Sequence, residues 1–124
     1  MGYESKLYIV EKNEPFFDGD KPYAEVISMF DMCVCPCLSD VLRDKPNTDC
    51  YFYADDGDTK ILEDRYGKPL TETTADVVIG LLEDAIADGE DYRRIFPLLS
   101  TLKTIDEQQK GGRWNNIVVL HYGY

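Results

Sequence analysis

The sequence predicts an α+β fold, an antiparallel sheet of about four to five strands with two helices packed on one face. Three observations carry this. Strand-like segments come first in the chain and helix-like segments follow, an order that favours α+β over alternating α/β. Residues 51–62 hold an Asp-Gly pair between two aromatic and apolar arms, the pattern of a β-hairpin. Residues 73–88 repeat apolar side chains at helical spacing. The chain has 124 residues and 44% hydrophobic composition, which suits one domain over residues 1–124 and argues against disorder.

Residues 6–10 (KLYIV) are β-branched and aromatic and read as a first strand. Residues 13–22 form a Gly/Pro/Asp loop carrying Phe16 and Phe17. Residues 23–30 alternate in polarity as a second strand. Residues 38–49 hold one short helical turn, capped by Ser39, with Val41 and Leu42 facing inward, before Pro46 and Asn47 break it. In the hairpin, Asp56-Gly57 suits a type I′ turn. That turn sets Phe52 opposite Ile61, Tyr53 opposite Lys60 and Tyr51 opposite Leu62.

The first full helix covers residues 73–88. Thr73 and Asp76 resemble a capping box. Val78, Leu82 and Ile86, with Ala75 and Ile79, form the inner stripe, and Gly89 suits the C-terminal cap. Gly80, unfavourable within a helix, suggests close contact with a neighbouring element. A second helix runs over residues 92–110, capped by Asp91 and ended by Gly111-Gly112, with Leu98 or Leu99, Leu102 and Ile105 inward. Pro97 opens or kinks it. Residues 116–122 (NIVVLHY) are a last strand, too apolar for an exposed edge and so expected beside an early strand.

The net charge is −11, and residues 54–91 hold 12 of the 24 acids against 3 of the 13 bases. A nucleic-acid binder needs a basic face, and the sparse cluster Arg93, Arg94, Lys103, Lys110 and Arg113 does not supply one. Direct nucleic-acid or anionic-membrane binding is therefore disfavoured, and a partner with a positive surface is favoured. The plainer alternative is an acidic surface that only maintains solubility. The first residues lack a charged-then-apolar signal peptide, and no run approaches the length of a membrane span, so the chain reads as cytoplasmic.

Four cysteines, Cys33, Cys35, Cys37 and Cys50, offer a four-sulfur zinc site if extended chain aligns the first three. C-x-C spacing and Pro36 argue against it, and reduced cysteines in a core are the simpler reading. The one histidine, His121, pairs with Cys50 in a minimal nucleophile–base scheme, but nothing in the sequence brings them together. Asp55, Asp56 and Asp58 fail the calcium-loop order because Gly57 follows only two acids. Phosphate-loop, dinucleotide, zincin and nucleophile-elbow motifs are absent, which argues against a familiar enzyme. No cofactor is expected.

The nine tyrosines say more. Tyr51, Tyr53 and Tyr66 interleave with Asp55, Asp56, Asp58, Glu63 and Asp64. Tyrosine is enriched in interfaces, although it also covers half-buried sheet surface. The candidate partner surface is thus Tyr53, Asp55, Asp56, Asp58, Glu63, Asp64 and Tyr66, extended by the helix acids Glu83, Asp84 and Asp88.

The opening MGYESKLYIVEKN and the closing RWNNIVVLHYGY resemble small proteins of phages and prophages of Gram-positive bacteria. The resemblance implies host takeover or inhibition of defence in the host cytoplasm, as with anti-CRISPR proteins that occupy a nucleic-acid-binding surface. No functional residue carries over, because that class shares no motif. The leading expectation is an acidic, non-enzymatic protein that blocks a basic, nucleic-acid-handling host or defence protein such as a CRISPR effector. The competing expectations are a structural or self-associating phage protein, and a cysteine-based metal-binding protein or enzyme.

Overall fold

A computed structural model describes residues 4–15, 21–90, 93–112, 114 and 116–124. In chain order the elements are β1 (Ser5–Asn13), β2 (Tyr23–Cys33), α1 (Pro36–Leu42), β3 (Phe52–Tyr53), β4 (Lys60–Ile61), β5 (Thr71–Thr73), α2 (Ala75–Ala87), α3 (Ile95–Lys110) and β6 (Ile117–Gly123). Four strands form an antiparallel sheet in the order β2-β1-β6-β5, and β3-β4 is a separate hairpin. The fold is α+β, as the order of segments predicts. The last strand lies between β1 and β5, because its apolar residues are buried on both faces.

Strand alternation builds two cores from one sheet. Leu7, Ile9, Ile117 and Val119 face all three helices and meet Leu38, Leu42, Val78, Leu82, Leu98 and Leu102. Val10 and Leu120 face the other way and meet Ala24, Cys50, Phe52 and Leu70. Irregular register between Ile9 and Val10 bends β1 against β2 and fits the extra residue Ile27. Among the described residues no helix is long and apolar enough to cross a membrane.

Several local expectations change. Ser39 lies inside α1; Cys35 is the residue that precedes the helix and Pro36 begins it, where proline's missing N–H costs nothing. Leu42 is buried as expected, but Val41 is exposed. Thr73 belongs to β5, where it pairs with Val119, so the capping box with Asp76 does not form; Thr74 precedes α2 without a side-chain cap. The strand won because its side chains complete the edge of the sheet beside β6. Pro97 sits in the first turn of α3. The expected cap Asp91, Tyr92 and the aromatic pair Phe16–Phe17 lie outside the described residues.

The end of α2 follows expectation. Gly89 has φ +98°, its N–H donates to Ile86 O (3.0 Å), and Glu90 N–H donates to Ala85 O (3.0 Å), the paired bonds of a Schellman ending. Gly80 does not follow it: a Cβ there meets nothing within 4 Å and the residue is exposed. No neighbour requires it. Gly80→Ala is therefore expected to stabilise the protein by about 1 kcal/mol, read as a higher urea midpoint at unchanged slope. An unchanged or lower midpoint would show that the residue is needed for something other than helix packing.

Candidate protein-binding groove

The acidic hairpin forms with the expected register, Phe52 opposite Ile61 and Tyr53 opposite Lys60. Its turn is not type I′, which needs positive φ at both central residues. Only Gly57 has it, at +77°. Instead Gly57 N–H donates to Ala54 O (2.9 Å) and Ala54 N–H donates to Thr59 O (2.8 Å), giving a longer loop. Asp56 ties it: one carboxylate oxygen accepts from the N–H groups of Asp58 and Thr59 (both 2.9 Å), and the other from Thr59 Oγ1 (2.6 Å). These bonds, from the Thr59 hydroxyl first, hold the Asp56 carboxyl down at about 2.

Asp64 does the same work one turn later. Its carboxylate accepts from the N–H groups of Tyr66 (2.8 Å) and Lys68 (3.1 Å). Two of the predicted partner-facing acids thus organise their own loops. Asp55, Asp58 and Glu63 are exposed, with no ion pair among the described residues. Tyr53 and Tyr66 are also exposed.

Phe52 seats the hairpin on the sheet: it is buried, and its ring lies 4.5 Å from that of Tyr8. Tyr51 N–H donates to Pro22 O (3.1 Å) and Ala24 N–H donates to Tyr51 O (2.7 Å), stitching the hairpin to the start of β2. Between hairpin and sheet runs a groove of about 380 Å³, lined by Lys6, Tyr8, Val26, Met29, Phe52, Tyr53, Ala54, Asp55, Ile61 and Tyr122. Val26 and Met29 expose 40% and 45% of their surface there, so the floor is open and apolar. Burial raises the Tyr8 hydroxyl above its ordinary pKa, and Tyr122, Asp55 and Asp31 add to the rise. The groove's described lining is mainly aromatic and apolar, with Lys6 and Asp55 as its charged groups. Lys60 Nζ in the same hairpin sits 4.5 Å from the Tyr51 ring centre, and Lys6 Nζ, from the groove lining, 4.6 Å from that of Tyr124. Both show how this chain's tyrosines accommodate an ammonium group.

The helix acids Glu83, Asp84 and Asp88 do not extend this surface. Glu83 and Asp84 lie on α2 and Asp88 caps its C-terminal end, and α2 packs on the opposite face of the sheet. Glu83 is 3.6 Å from Lys103 Nζ. The basic cluster is dispersed as well: Lys110 is 2.9 Å from Asp106, and Arg94 donates to Asp31 O.

The sulfurs do not assemble a four-sulfur site. Cys35 and Cys37 touch on the helix side, Cys33 donates to Asp31 Oδ1 (3.5 Å), and Cys50 is buried on the hairpin side beside Thr48. Cys50 and His121 lie on opposite faces of the sheet, since His121 pairs with Leu7 and points with it towards the helix side. No nucleophile–base pair forms between them. Among the described residues one group gathers three possible metal ligands within 4.8 Å, Asp49, Cys50 and Glu72. Lys12 Nζ already occupies it, 2.7 Å from Asp49 and 3.1 Å from Glu72. The cluster is a clasp in which Lys12 of β1 bridges the carboxylates of Glu72 in β5 and Asp49 in the loop before β3, offsetting one of the two negative charges.

Sequence reasoning missed the groove's floor: Tyr8, Tyr122, Val26 and Met29. The signal was the alternation that puts Tyr8 and Tyr122 on one face, but it needs the β1–β6 register to be used. A second cleft, of about 370 Å³, lies between β1, β2 and α3, lined by Ile27, Ile105, Trp114 and Ile117. Its single carboxylate, Glu11, offers little chemistry. Comparison with protein-family models, with curated proteins and with solved structures finds no match for this chain.

Proposed function

We propose that the chain is an acidic, non-enzymatic binding protein that docks on a basic protein and occupies the surface with which that partner handles nucleic acid. One observation carries the reading. Asp55, an exposed carboxylate with no ion pair among the described residues, lines an open groove together with Tyr8, Phe52, Tyr53 and Tyr122, and the exposed Asp58 follows in the same hairpin loop. Carboxylates take the place of phosphates before a lysine or arginine, and the rings take the apolar stem behind the charge. Tyr53 and Asp55 are the contact centre, with Asp58 and Glu63 around them. The likeness of the chain's two end segments to phage proteins points to a host or defence protein, such as a CRISPR effector, as the target class.

The test is a pull-down with tagged protein from nuclease-treated Gram-positive lysate, followed by binding measurements on the purified partner. Asp55→Lys with Asp58→Lys is the discriminating variant. Asp56 is left in place, because reversing it removes the bonds that close the loop. Affinity is expected to fall more than about tenfold, with wild-type binding weakening steeply as salt rises. Salt-insensitive binding, or full affinity in the double variant, would overturn the reading. Self-association in light scattering, with no basic protein retained, would favour a structural role instead. The specific support for that second reading is β2, the outer strand of the sheet, with Val26, Ile27 and Met29 exposed.

A further inference from the structure

The segment Cys35-Pro36-Cys37 takes no part in the groove. Pro36 is the first helical residue of α1, so helix geometry sets the Cα atoms of Cys35 and Cys37 about 5.4 Å apart. That is within the range a disulfide spans. The two Sγ atoms are 3.3 Å apart, and small side-chain rotations bring them to bonding distance. Cys35 is buried against the helical core and Cys37 is half-buried. Both line a cleft of about 280 Å³ with Val34, Pro36, Glu90 and Ile95. Among the described residues no other two sulfurs are in contact.

We propose that Cys35 and Cys37 form a dithiol site that exchanges with small-molecule disulfides of the oxidised-glutathione class. Cys37, the more exposed, attacks first. Its thiol releases a proton to solvent, the thiolate sulfur bonds to one sulfur of the incoming disulfide, and the disulfide bond breaks. The departing thiolate takes up a proton. Cys35 then attacks Cys37 Sγ, its proton passing to the second departing thiolate as the mixed disulfide breaks. Two protein thiols are oxidised to one disulfide, and one small disulfide is reduced to two thiols. Burial, then the neighbouring Cys37, pushes the Cys35 thiol up to about 12, so Cys35 is protonated at rest and the more exposed Cys37 opens the exchange. The closed loop is so short that it constrains the unfolded chain little, so excess thiol reopens the bond.

The full chain is incubated with oxidised glutathione, quenched by acid, alkylated in denaturant so that buried Cys35 and Cys50 are counted, and read by intact mass and fragment spectra. The wild-type protein is expected to lose two of its four alkylatable thiols, to retain no glutathione, and to recover both thiols with dithiothreitol. Cys35→Ser is expected to trap one glutathione on Cys37. Cys37→Ser is expected to slow thiol loss about tenfold or more. Cys33→Ser and Cys50→Ser are expected to behave as wild type. Cys35→Ala replaces Cys35→Ser if circular dichroism shows that the serine variant does not fold. Retention of all four thiols in the wild-type protein, undiminished oxidation in Cys37→Ser, or loss of oxidation in Cys33→Ser would each overturn the proposal.

Discussion

Phe52→Ala is expected to cost about 3–5 kcal/mol, a large part of the stability of a protein this size. The residue is buried at the centre of the smaller core, between the ring of Tyr8 and the side chains of Val10, Leu70 and Leu120. The hairpin has only two paired residues on each side and lacks the strands needed for independent stability. Its attachment therefore depends on this ring. Urea unfolding checks the magnitude, and the tyrosine near-ultraviolet circular dichroism, reporting Tyr8, Tyr51, Tyr53 and Tyr122, checks the place. If the groove binds the partner, the same variant loses binding under conditions where the rest of the sheet remains folded. A loss below about 1 kcal/mol would mean that the hairpin is not seated as described.

Acid is expected to weaken the protein through His121. The imidazole is buried in β6 with Nε2 2.8 Å from Ser5 Oγ, and its pKa is lowered from 6.5 to about 4. Burial is the main cause; Asp64 opposes it and Arg43 adds to it. The unfolded chain takes up a proton on this residue near pH 6.5, whereas the folded chain resists until about pH 4. Below pH 6.5 the unfolded state therefore binds more protons, and stability falls as pH falls towards 4. The contribution is of the order of 3 kcal/mol, fully present above pH 6.5 and lost near pH 4. His121→Gln keeps a polar partner for Ser5 and removes the titration. Its unfolding free energy, measured from pH 7 to pH 4, is expected to decline less than that of the wild-type protein. Equal declines would place the acid sensitivity on carboxylates elsewhere.

The parts of the fold that were legible are those dominated by local pattern. The hairpin register around Asp56-Gly57, the stripe of α2 and the apolar strand at residues 117–123 all depend on neighbours in sequence. What was not legible depends on distant partners. Thr73 looks like a helix start until β6 supplies the strand that residues 71–73 pair with. Gly80 looks like a close approach until the space beside it is seen to be empty. The candidate site divides in the same way. Tyr53 and Asp55 were found from composition, whereas Tyr8, Tyr122, Val26 and Met29 become neighbours only through the sheet. Asp56 and Asp64 are indistinguishable from Asp55 and Asp58 by type, and only the bonds to their own loops separate them. The acids of α2 share the charge of the hairpin but not its side of the molecule.

The position of β6 also governs how the chain reaches its fold. Ser5 pairs with Gly123 and Glu11 with Ile117, so one ladder joins residues more than a hundred apart in sequence. Until it closes, β1 has a strand on one side only, and β5 has only the bridge of Thr71 to Asn47 and the bond from Glu72 N–H to Pro46 O. Leu7, Ile9 and Val10 then stand uncovered along an open strand edge beside a second, shorter one. Such non-local pairing has a high contact order, and the entropy of closing the long loop is spent before its contacts form. Folding is therefore governed by the arrival of residues 117–123. Before that arrival the chain is at its most vulnerable to aggregation during synthesis, through the same two edges that β6 later joins.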